Sequence, residues 1–506
     1  MHIVAPILTW TYFGVCLGLT LFGLYRLAIL AAWRRAGLRP KLPPPADPAV
    51  WPRVTVQLPI FNERWVARRL LAAVAALDYP RDRLQIQILD DSTDRTAVLT
   101  RRIAFVLRRR GVDIELVRRS ARTGYKAGAL AHGLRTATGE LIAIFDADFV
   151  PPTDFLRRVV PSLLEPGVGV VQARWGHLNR EATWFTRLQS ILLDGHFAIE
   201  QPARHGNGLL LTFNGTAGVW RRAAIEAAGG WTSDTLTEDL DLSIRAQLAG
   251  WRIVYRADVV VPAELPEDSN SFRAQQRRWT KGGVQVARKM LPRIVRAPLP
   301  WRVRLAGVMH LGSYAGYPLL IGLALLRTPA CLVAHQRGWL GLLPGELPLF
   351  ALGTAPLAVF YVFAQRAAGV RAARRVVWRD SFAAMALGAG LALGNALAVL
   401  EGLFGHGVVF ERTPKRGSVR AFTPSLNRVR WMATYRSQGT RTALLELALL
   451  TYLVLCKCIG ATARRWGELP FLFFFAFGLL AMSVPSLRQA WAESRRSLTP
   501  PAGTAS

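Results

Sequence analysis

Ala143-Ile144-Phe145-Asp146-Ala147-Asp148-Phe149 is the stretch on which the reading of this chain turns. An apolar run, Leu141 to Phe145, ends in two carboxylates one residue apart. Residues two apart in a strand point to the same face. Asp146 and Asp148 are therefore expected to reach one hard cation with their oxygens. A cation held at the C-terminal end of a strand can also hold a diphosphate. The plain alternative is an Asp-x-Asp turn after a buried strand, and the flanking sequence decides between the two.

Outward from this stretch, short apolar runs alternate with helical patterns between Val54 and Ala263. Val54–Pro59, Ile86–Leu89, Ile114–Val117, Leu141–Phe145 and Gly169–Gln172 read as strands. Trp65–Leu77, Ala97–Arg110 and Lys126–Thr136 read as helices. Such alternation predicts a mainly parallel sheet covered on both faces. Ligands then bind beyond the carboxyl ends of the strands. Asp90-Asp91 and Asp146/Asp148 both sit at such ends.

Other candidates lie on the same segment. Asn62 and Glu63, at the end of the first strand, can hydrogen-bond a base or ribose, or Asn62 can cap a helix. Asp90 and Asp91 can accept the imide N–H of uracil or the N–H groups of guanine; otherwise Ser92 or Asp94 caps a helix. Two acids at a buried strand end cost desolvation unless something pairs with them. Gly124-Tyr125-Lys126 opens a helix whose N–H groups and lysine suit a diphosphate. Phe213-Asn214-Gly215 begins a Gly-rich run that allows close backbone approach to a ligand, or is an ordinary turn. Glu238 and Asp239 start a helical pattern. They are either an acidic first turn favoured by the dipole or, at Asp239, a general base for an attacking sugar hydroxyl. In Gln275-Gln276-Arg277-Arg278-Trp279, Trp279 can stack on a sugar ring and Arg278 can pair with phosphate oxygens. The alternative is a basic amphipathic helix at a membrane surface.

The ends of the chain read differently. Ile7–Tyr25 is apolar and followed by Arg26, Arg34 and Arg35, the pattern of a transmembrane helix rather than of a signal peptide. A Pro-rich linker, 36–51, follows it. After Trp301, Val303–Leu326, Leu347–Phe363, Leu444–Ala461 and Leu469–Val484 read as further spans. Ser381–Leu403 is apolar but carries Asn395 and Glu401. Gln365–Arg379, with five arginines, and the basic Glu411–Arg441 both belong on the cytoplasmic side. Ser381–Leu403 is therefore expected to lie in the interface or re-enter, which leaves five spans with the N-terminus outside. The organisation is a transmembrane helix (1–35), a linker (36–51), an α/β domain (52–300), spanning and interfacial helices (301–487) and a basic, partly disordered tail (488–506).

Bulk composition agrees. Mean hydropathy is +0.22. The 64 Lys+Arg against 33 Asp+Glu give a net charge of +31, which needs an anionic partner or surface. There is no zinc-finger spacing, and the basic residues concentrate beside membrane-facing segments, so no nucleic-acid partner is expected. The four cysteines form neither a disulfide framework nor a metal cluster. None lies in the α/β segment, which fits a reducing cytosolic side.

The ordered set Asp-Asp, Lys-Ala-Gly, Asp-x-Asp, Thr-Glu-Asp and Gln-x-x-Arg-Trp resembles the inverting, membrane-integrated family-2 glycosyltransferases. The fuller strings Gln57–Glu63, Gln87–Asp94, Gly124–Gly128, Ala143–Phe149, Val171–Trp175, Phe213–Trp220 and Gln275–Trp279 are closer still to the cellulose-synthase-like A and C groups. Those are the mannan and xyloglucan-backbone synthases and their bacterial relatives. The resemblance spans roughly 52–300 and implies a GT-A (Rossmann-like) catalytic domain beside an α-helical transmembrane bundle. It implies that Asp91, with Asp90, Asn62 and Glu63, meets the nucleoside and that Lys126 meets the diphosphate. Asp146 and Asp148 would hold Mg2+ or Mn2+ on that diphosphate, and Asp239 would be the base. Phe213, Asn214, Gly215, Glu238, Gln275, Arg278 and Trp279 would meet the acceptor and pyrophosphate. Phe410, Thr413 and Lys415 match a gating loop (405–440) of the pattern Phe-x-Val-Thr-x-Lys, with Arg412 in place of Val. The expected activity is transfer of hexose from UDP-glucose or GDP-mannose to a β-linked, β-1,4 polysaccharide that the protein translocates. The alternative is a single sugar placed on a diacylglycerol- or ceramide-type lipid. A third possibility, a receptor or channel component with a decayed site, is opposed by the intact acids. The expected location is a bacterial inner membrane with the catalytic domain cytoplasmic.

Overall fold

The computed structural model describes residues 4–38, 47–336, 346–405, 417, 439–462 and 469–497. The α/β part is built on a seven-stranded sheet of order β3-β2-β1-β4-β6-β5-β7. Its strands are β1 (Val54–Ile60), β2 (Leu84–Asp90), β3 (Ile114–Val117), β4 (Leu141–Ile144), β5 (Val168–His177), β6 (Gly218–Arg221) and β7 (Arg252–Ala263). The five strands expected from the sequence are present. The short β6 and the bulged β7 were not anticipated. β6 runs antiparallel to both β4 and β5, and the other pairings are parallel, so the sheet is mainly parallel as expected, with one antiparallel strand inserted. The expected class, an α/β domain beside a set of long apolar helices, is the one observed.

Local chemistry explains the faces of the sheet. In β1, Val54, Val56, Leu58 and Ile60 point to one side and join Leu70, Val74, Phe155 and Val159 in the largest core. The other side of β1 and β2 is equally buried but polar. There Thr55 Oγ1 donates to Gln85 Oε1 at 2.8 Å, and Gln57 Nε2 donates to Gln87 Oε1 at 3.0 Å. Buried amides are tolerated because they satisfy one another across neighbouring strands. The helices α2 (Ala67–Ala75), α3 (Thr96–Arg109) and α4 (Tyr125–Gly133) follow β1, β2 and β3, each within a few residues of its expected range. Helix α4 crosses the amide ladder at Gly133, where a Cβ would lie 2.6 Å from Gln57 Nε2.

Helix α5 (Phe155–Leu163) follows β4, and α6 (Trp184–Asp194) follows β5. α6 runs through a π-helical turn, Gly195–Glu200, into α7 (Gln201–Gly206). Helices α8 (Arg222–Ala227) and α9 (Glu238–Leu248) bracket the approach to β7, and α10 (Ser269–Arg296) leaves the sheet for the remaining helices. These are α1 (Val4–Gly37), α11 (Trp301–Gly312), α12 (Gly316–Gln336), α13 (Glu346–Ala367), α14 (Arg374–Gly390), α15 (Ala392–Phe404), α16 (Gly439–Thr462) and α17 (Leu469–Ser497).

Among the described residues, three helices are long and apolar enough to cross a membrane: Ala5–Gly37, Trp301–Val333 and Phe471–Trp491. They contain three of the five expected spans; the other two, 347–363 and 444–461, are helical in α13 and α16. The ambiguous segment 381–403 is a bent pair, α14 and α15, with a 48° break. Small residues let α14 reach α17: a Cβ on Gly390 would lie 2.1 Å from Gly478 O. Glu401, conspicuous in an apolar stretch, pairs with Arg277 (2.5 Å) and Lys281 (3.6 Å) of α10. Arg488–Arg496, expected to begin a partly disordered tail, is helical as the end of α17. Residues 39–46 of the 36–51 linker and the gating-loop residues Phe410, Thr413 and Lys415 lie outside the described residues.

Candidate active site

One open cleft lies at the C-terminal end of β1, β2 and β4 and holds about 1360 Å³ counting its mouth. Asp146 and Asp148 both line it. They are not in the strand, however: β4 ends at Ile144, and Asp146–Phe149 is a turn closed by the Phe149 N–H bond to Asp146 O at 3.1 Å. The alternating-face argument therefore fails, and the turn brings both carboxylates to the cleft instead. Backbone N–H of Asp146 is held by Thr216 Oγ1 at 2.9 Å.

Lys126 completes this corner. Its Nζ donates to Asp146 Oδ1 at 2.5 Å and to Gly215 O at 2.9 Å. Burial works against its charged form, but Asp146, Glu238 and Asp239 outweigh it, and Lys126 titrates above an ordinary lysine. Gly215 is in the left-handed region, with φ +80°, and a Cβ there would lie 2.8 Å from Asp239 Oδ2 and 3.3 Å from Lys126 Nζ. The site closes around this glycine because it lacks a side chain.

Asp239 sits in the first turn of α9 and lines the cleft beside Glu238. Burial, then the neighbouring Glu238 carboxylate, push its pKa up to about 7. Glu238 is likewise raised by burial, against the pull of Lys126. A carboxylate that titrates near neutrality matches the requirement of a general base. Helix α10 brings Gln275, Arg278 and Trp279 to the opposite wall. It reaches the acidic turn because Gly282 has no side chain; a Cβ there would lie 2.7 Å from Thr237 Cγ2.

Three expected contacts are corrected. Asp90 lies outside the walls of the cleft and is buried, accepting from Ser92 N at 2.8 Å and Thr100 Oγ1 at 2.6 Å. Asn62 (φ +57°) turns away to accept from the N–H groups of Thr93 (2.9 Å) and Asp94 (3.2 Å), tying the ends of β1 and β2 together. Phe213 is fully buried against Trp220, with ring centroids 5.4 Å apart. In each case a polar or aromatic residue beside the cleft is consumed by the loop that shapes it. Glu63, Asp91, Asn214 and Gly215 do line the cleft. Asp91 does so while gripped by Arg119, at 3.0 Å to Nε and 2.5 Å to Nη2.

The structure adds Phe61, Arg122, Tyr125, Trp175, His177 and Glu264 to the walls. Arg122 lies 3.5 Å over the Phe61 ring and 5.1 Å from that of Tyr125. Trp175 stacks on Phe197 at 4.7 Å and stands 6.4 Å from Trp279. Of these, only Phe61, Tyr125 and Trp175 fall inside strings that the sequence had already marked. Of the other three, Arg122 and Glu264 come from loops and His177 ends β5, so their meeting point depends on the sheet order.

The donor set suits a cation that shares its shell with a ligand. Among the described residues, no group of three or more His, Cys, Asp or Glu could hold a metal ion by itself. Two cleft carboxylates with a lysine alongside fit Mg2+ or Mn2+ bound partly by substrate phosphates and water.

Residues 52–282 match the family model described as "Glycosyltransferase like family 2". Glucomannan 4-beta-mannosyltransferase 2 of Arabidopsis thaliana is 42% identical over 286 residues, 54% of this chain and 53% of that protein. Glucomannan 4-beta-mannosyltransferase 1 of Oryza sativa subsp. japonica is 45% identical over 260 residues, 50% of each chain. The chain spans about half the length of these curated relatives, which are plant proteins, so they lend no support to a bacterial membrane. Among solved structures, the mannosyltransferase PcManGT of Pyrobaculum calidifontis, in complex with GDP-Man and Mn2+, aligns with TM-score 0.49 and 25% identity, over 79% of this chain and 98% of that one. Family model, relatives and cleft point the same way: residues 52–282 are similar to family-2 glycosyltransferase domains, on a chain with three described helices long and apolar enough to cross a membrane.

Proposed function

We propose that the protein is an inverting hexosyltransferase that extends a β-1,4-linked glycan, with GDP-mannose as the preferred donor. The observation that carries this reading is the convergence of Asp239, poised near neutrality, with Lys126, Asp146 and Gly215 in one cleft. The choice of mannose rests on the names of the relatives, glucomannan mannosyltransferases. UDP-glucose is the competing donor.

In the proposed reaction an acceptor hydroxyl attacks the anomeric carbon from the face opposite the diphosphate. The new C–O bond forms as the bond from the anomeric carbon to the phosphate oxygen breaks. The electron pair leaves on the nucleoside diphosphate and the hydroxyl proton passes to Asp239. An α-linked donor then gives a β-glycoside with no covalent intermediate. Lys126 offers positive charge where the diphosphate departs. Asp146 and Asp148 are the residues that would hold Mg2+ or Mn2+, which, when bound, offsets charge on the same leaving group. Asp91 and Glu63, with the Phe61–Arg122–Tyr125 stack, form the end of the cleft suited to a nucleoside. Gln275, Arg278 and Trp279 form the end suited to acceptor and phosphate. The catalytic domain would face the cytoplasm, with the product passing out through the membrane helices. The single-sugar lipid alternative is not favoured by the relatives, whose names are those of polysaccharide-forming enzymes.

The test uses the full chain purified and reconstituted in liposomes, supplied in turn with labelled GDP-mannose and UDP-glucose and either Mg2+ or Mn2+. The expected product is an insoluble polymer cleaved by β-mannanase. A product confined to lipid-extractable single-sugar species would overturn the polymerase reading.

A further inference from the structure

Asn214 is a neutral amide on the cleft wall, and its orientation is set from outside the cleft. Its Oδ1 accepts from Gln201 Nε2 at 2.8 Å, and its Nδ2 lies 3.1 Å from His196 Nε2. His196 Nδ1 in turn lies 3.5 Å from Glu200 Oε2. A carboxylate accepts only, so a His196 proton directed at Glu200 lies on Nδ1; Nε2 is then the acceptor for Asn214 Nδ2 at 3.1 Å, the shorter of its two contacts with the amide, the other being 3.4 Å to Oδ1. Glu200 thus fixes the tautomer, and the tautomer fixes which way Asn214 points.

Glu200 is held hard for this purpose. It ends the π-helical turn, a distortion often found at functional sites. It is 5% exposed and accepts from Arg204 Nε at 3.3 Å. His310 Nδ1, on α11, lies 3.1 Å from its Oε1. Arg26, on the apolar α1, reaches its Oε2 at 3.0 Å. Burial alone would raise the Glu200 pKa, but Arg26, His196, His310 and Arg204 hold it well below the usual carboxylate range. Arg204 also binds Tyr25 of α1 and Leu210 O. The first two membrane helices therefore meet at the carboxylate whose far end aims a group in the cleft.

The geometry points to Glu200 as a positioning residue for glycosyl transfer: through His196 it orients the Asn214 amide toward the acceptor, and Arg26 anchors it to the first span. This rests on the transferase reading given above. Glu200 touches no substrate itself, and its effect must run through Asn214.

A double-mutant cycle in the full-length, reconstituted protein tests this. The probes are GDP-mannose with Mn2+ and a soluble β-1,4-linked mannose oligosaccharide, with donor binding measured separately. Glu200→Gln should lower kcat/KM for the acceptor about 10- to 100-fold, with donor Kd changed less than two-fold. Asn214→Ala should do the same, and adding Glu200→Gln to Asn214→Ala should cause no further loss. His196→Phe, which leaves the buried arginines paired with Glu200, should reproduce the effect if Glu200→Gln folds poorly. Losses that multiply in the double variants, or a donor Kd that moves with acceptor kcat/KM, would overturn the positioning role. A wild-type protein that binds donor but transfers nothing would instead defeat the transferase reading.

Discussion

Replacing Asp239 with Asn separates catalysis from stability at the centre of the site. Asp239 and Glu238 are adjacent acids in a half-buried turn, and the Asp239 pKa stands at about 7 against an ordinary 3.8. Fully ionised, such a shift would cost about 4 kcal/mol at 1.36 kcal/mol per unit. The carboxylate faces an open cleft and water screens it, so we take about 1–2 kcal/mol as the penalty that Asn removes. The sign follows from proton uptake. Between pH 3.8 and about 7 the folded state holds a proton that the unfolded state has lost, so the site's destabilisation grows as pH rises and is complete above 7. Asp239→Asn should therefore raise the midpoint of thermal unfolding by a few degrees at pH 8 and leave it unchanged near pH 4. Activity should move the other way, falling roughly 10²–10⁴-fold as the base is lost. In the wild type, kcat/KM should fall with unit slope below pH about 7, and the residual activity of the variant should lack that limb. A variant that keeps near wild-type turnover, or one that unfolds more easily at pH 8, would refute the reasoning.

Other perturbations read other parts of the molecule. Gly215→Ala places a methyl 2.8 Å from Asp239 Oδ2 at a φ of +80°. It should cost about 1–2 kcal/mol in backbone strain and, by moving the base, roughly 100-fold in kcat. Lys126→Met should lower kcat/KM about 10²–10³-fold, and because Lys126 titrates above 10.5 the wild-type rate should show no lysine limb below pH 10. Arg273 of α10 is buried against Glu446 of α16. Arg273→Met alone should destabilise by about 3–5 kcal/mol in thermal unfolding, and Arg273→Met with Glu446→Leu should recover most of it.

Periodic features were legible in the sequence. The runs ending at Pro59, Leu89 and Phe145 are strands because they are buried on both faces, and such strands write themselves as apolar runs. The polar ladder of Gln57, Gln85 and Gln87 interrupts those runs without ending them. Asp146, Lys126, Asp239 and Trp279 could be nominated because their residue types carry chemistry at strand ends and helix starts. Asp90, Asn62 and Phe213 were misjudged for one shared reason. A loop beside a site also needs capping groups and buried anchors, and these use the same residue types. Arg119 and Arg122 were missed because an arginine in a chain with 64 Lys+Arg carries no signal until the fold sets it over Asp91 and Phe61. Glu200 and His196 were hidden by distance: their partners Arg26 and His310 lie 174 and 110 residues from Glu200.

The anomeric configuration and linkage of the first bond formed test the central claim most directly. Labelled GDP-α-mannose and UDP-α-glucose are given to the reconstituted protein with an oligosaccharide acceptor, and the product is analysed by NMR after a single turnover. A β-1,4 bond formed with wild type and lost with Asp239→Asn is the predicted result. An α-configured product, or one whose formation is indifferent to Asp239, would contradict the account.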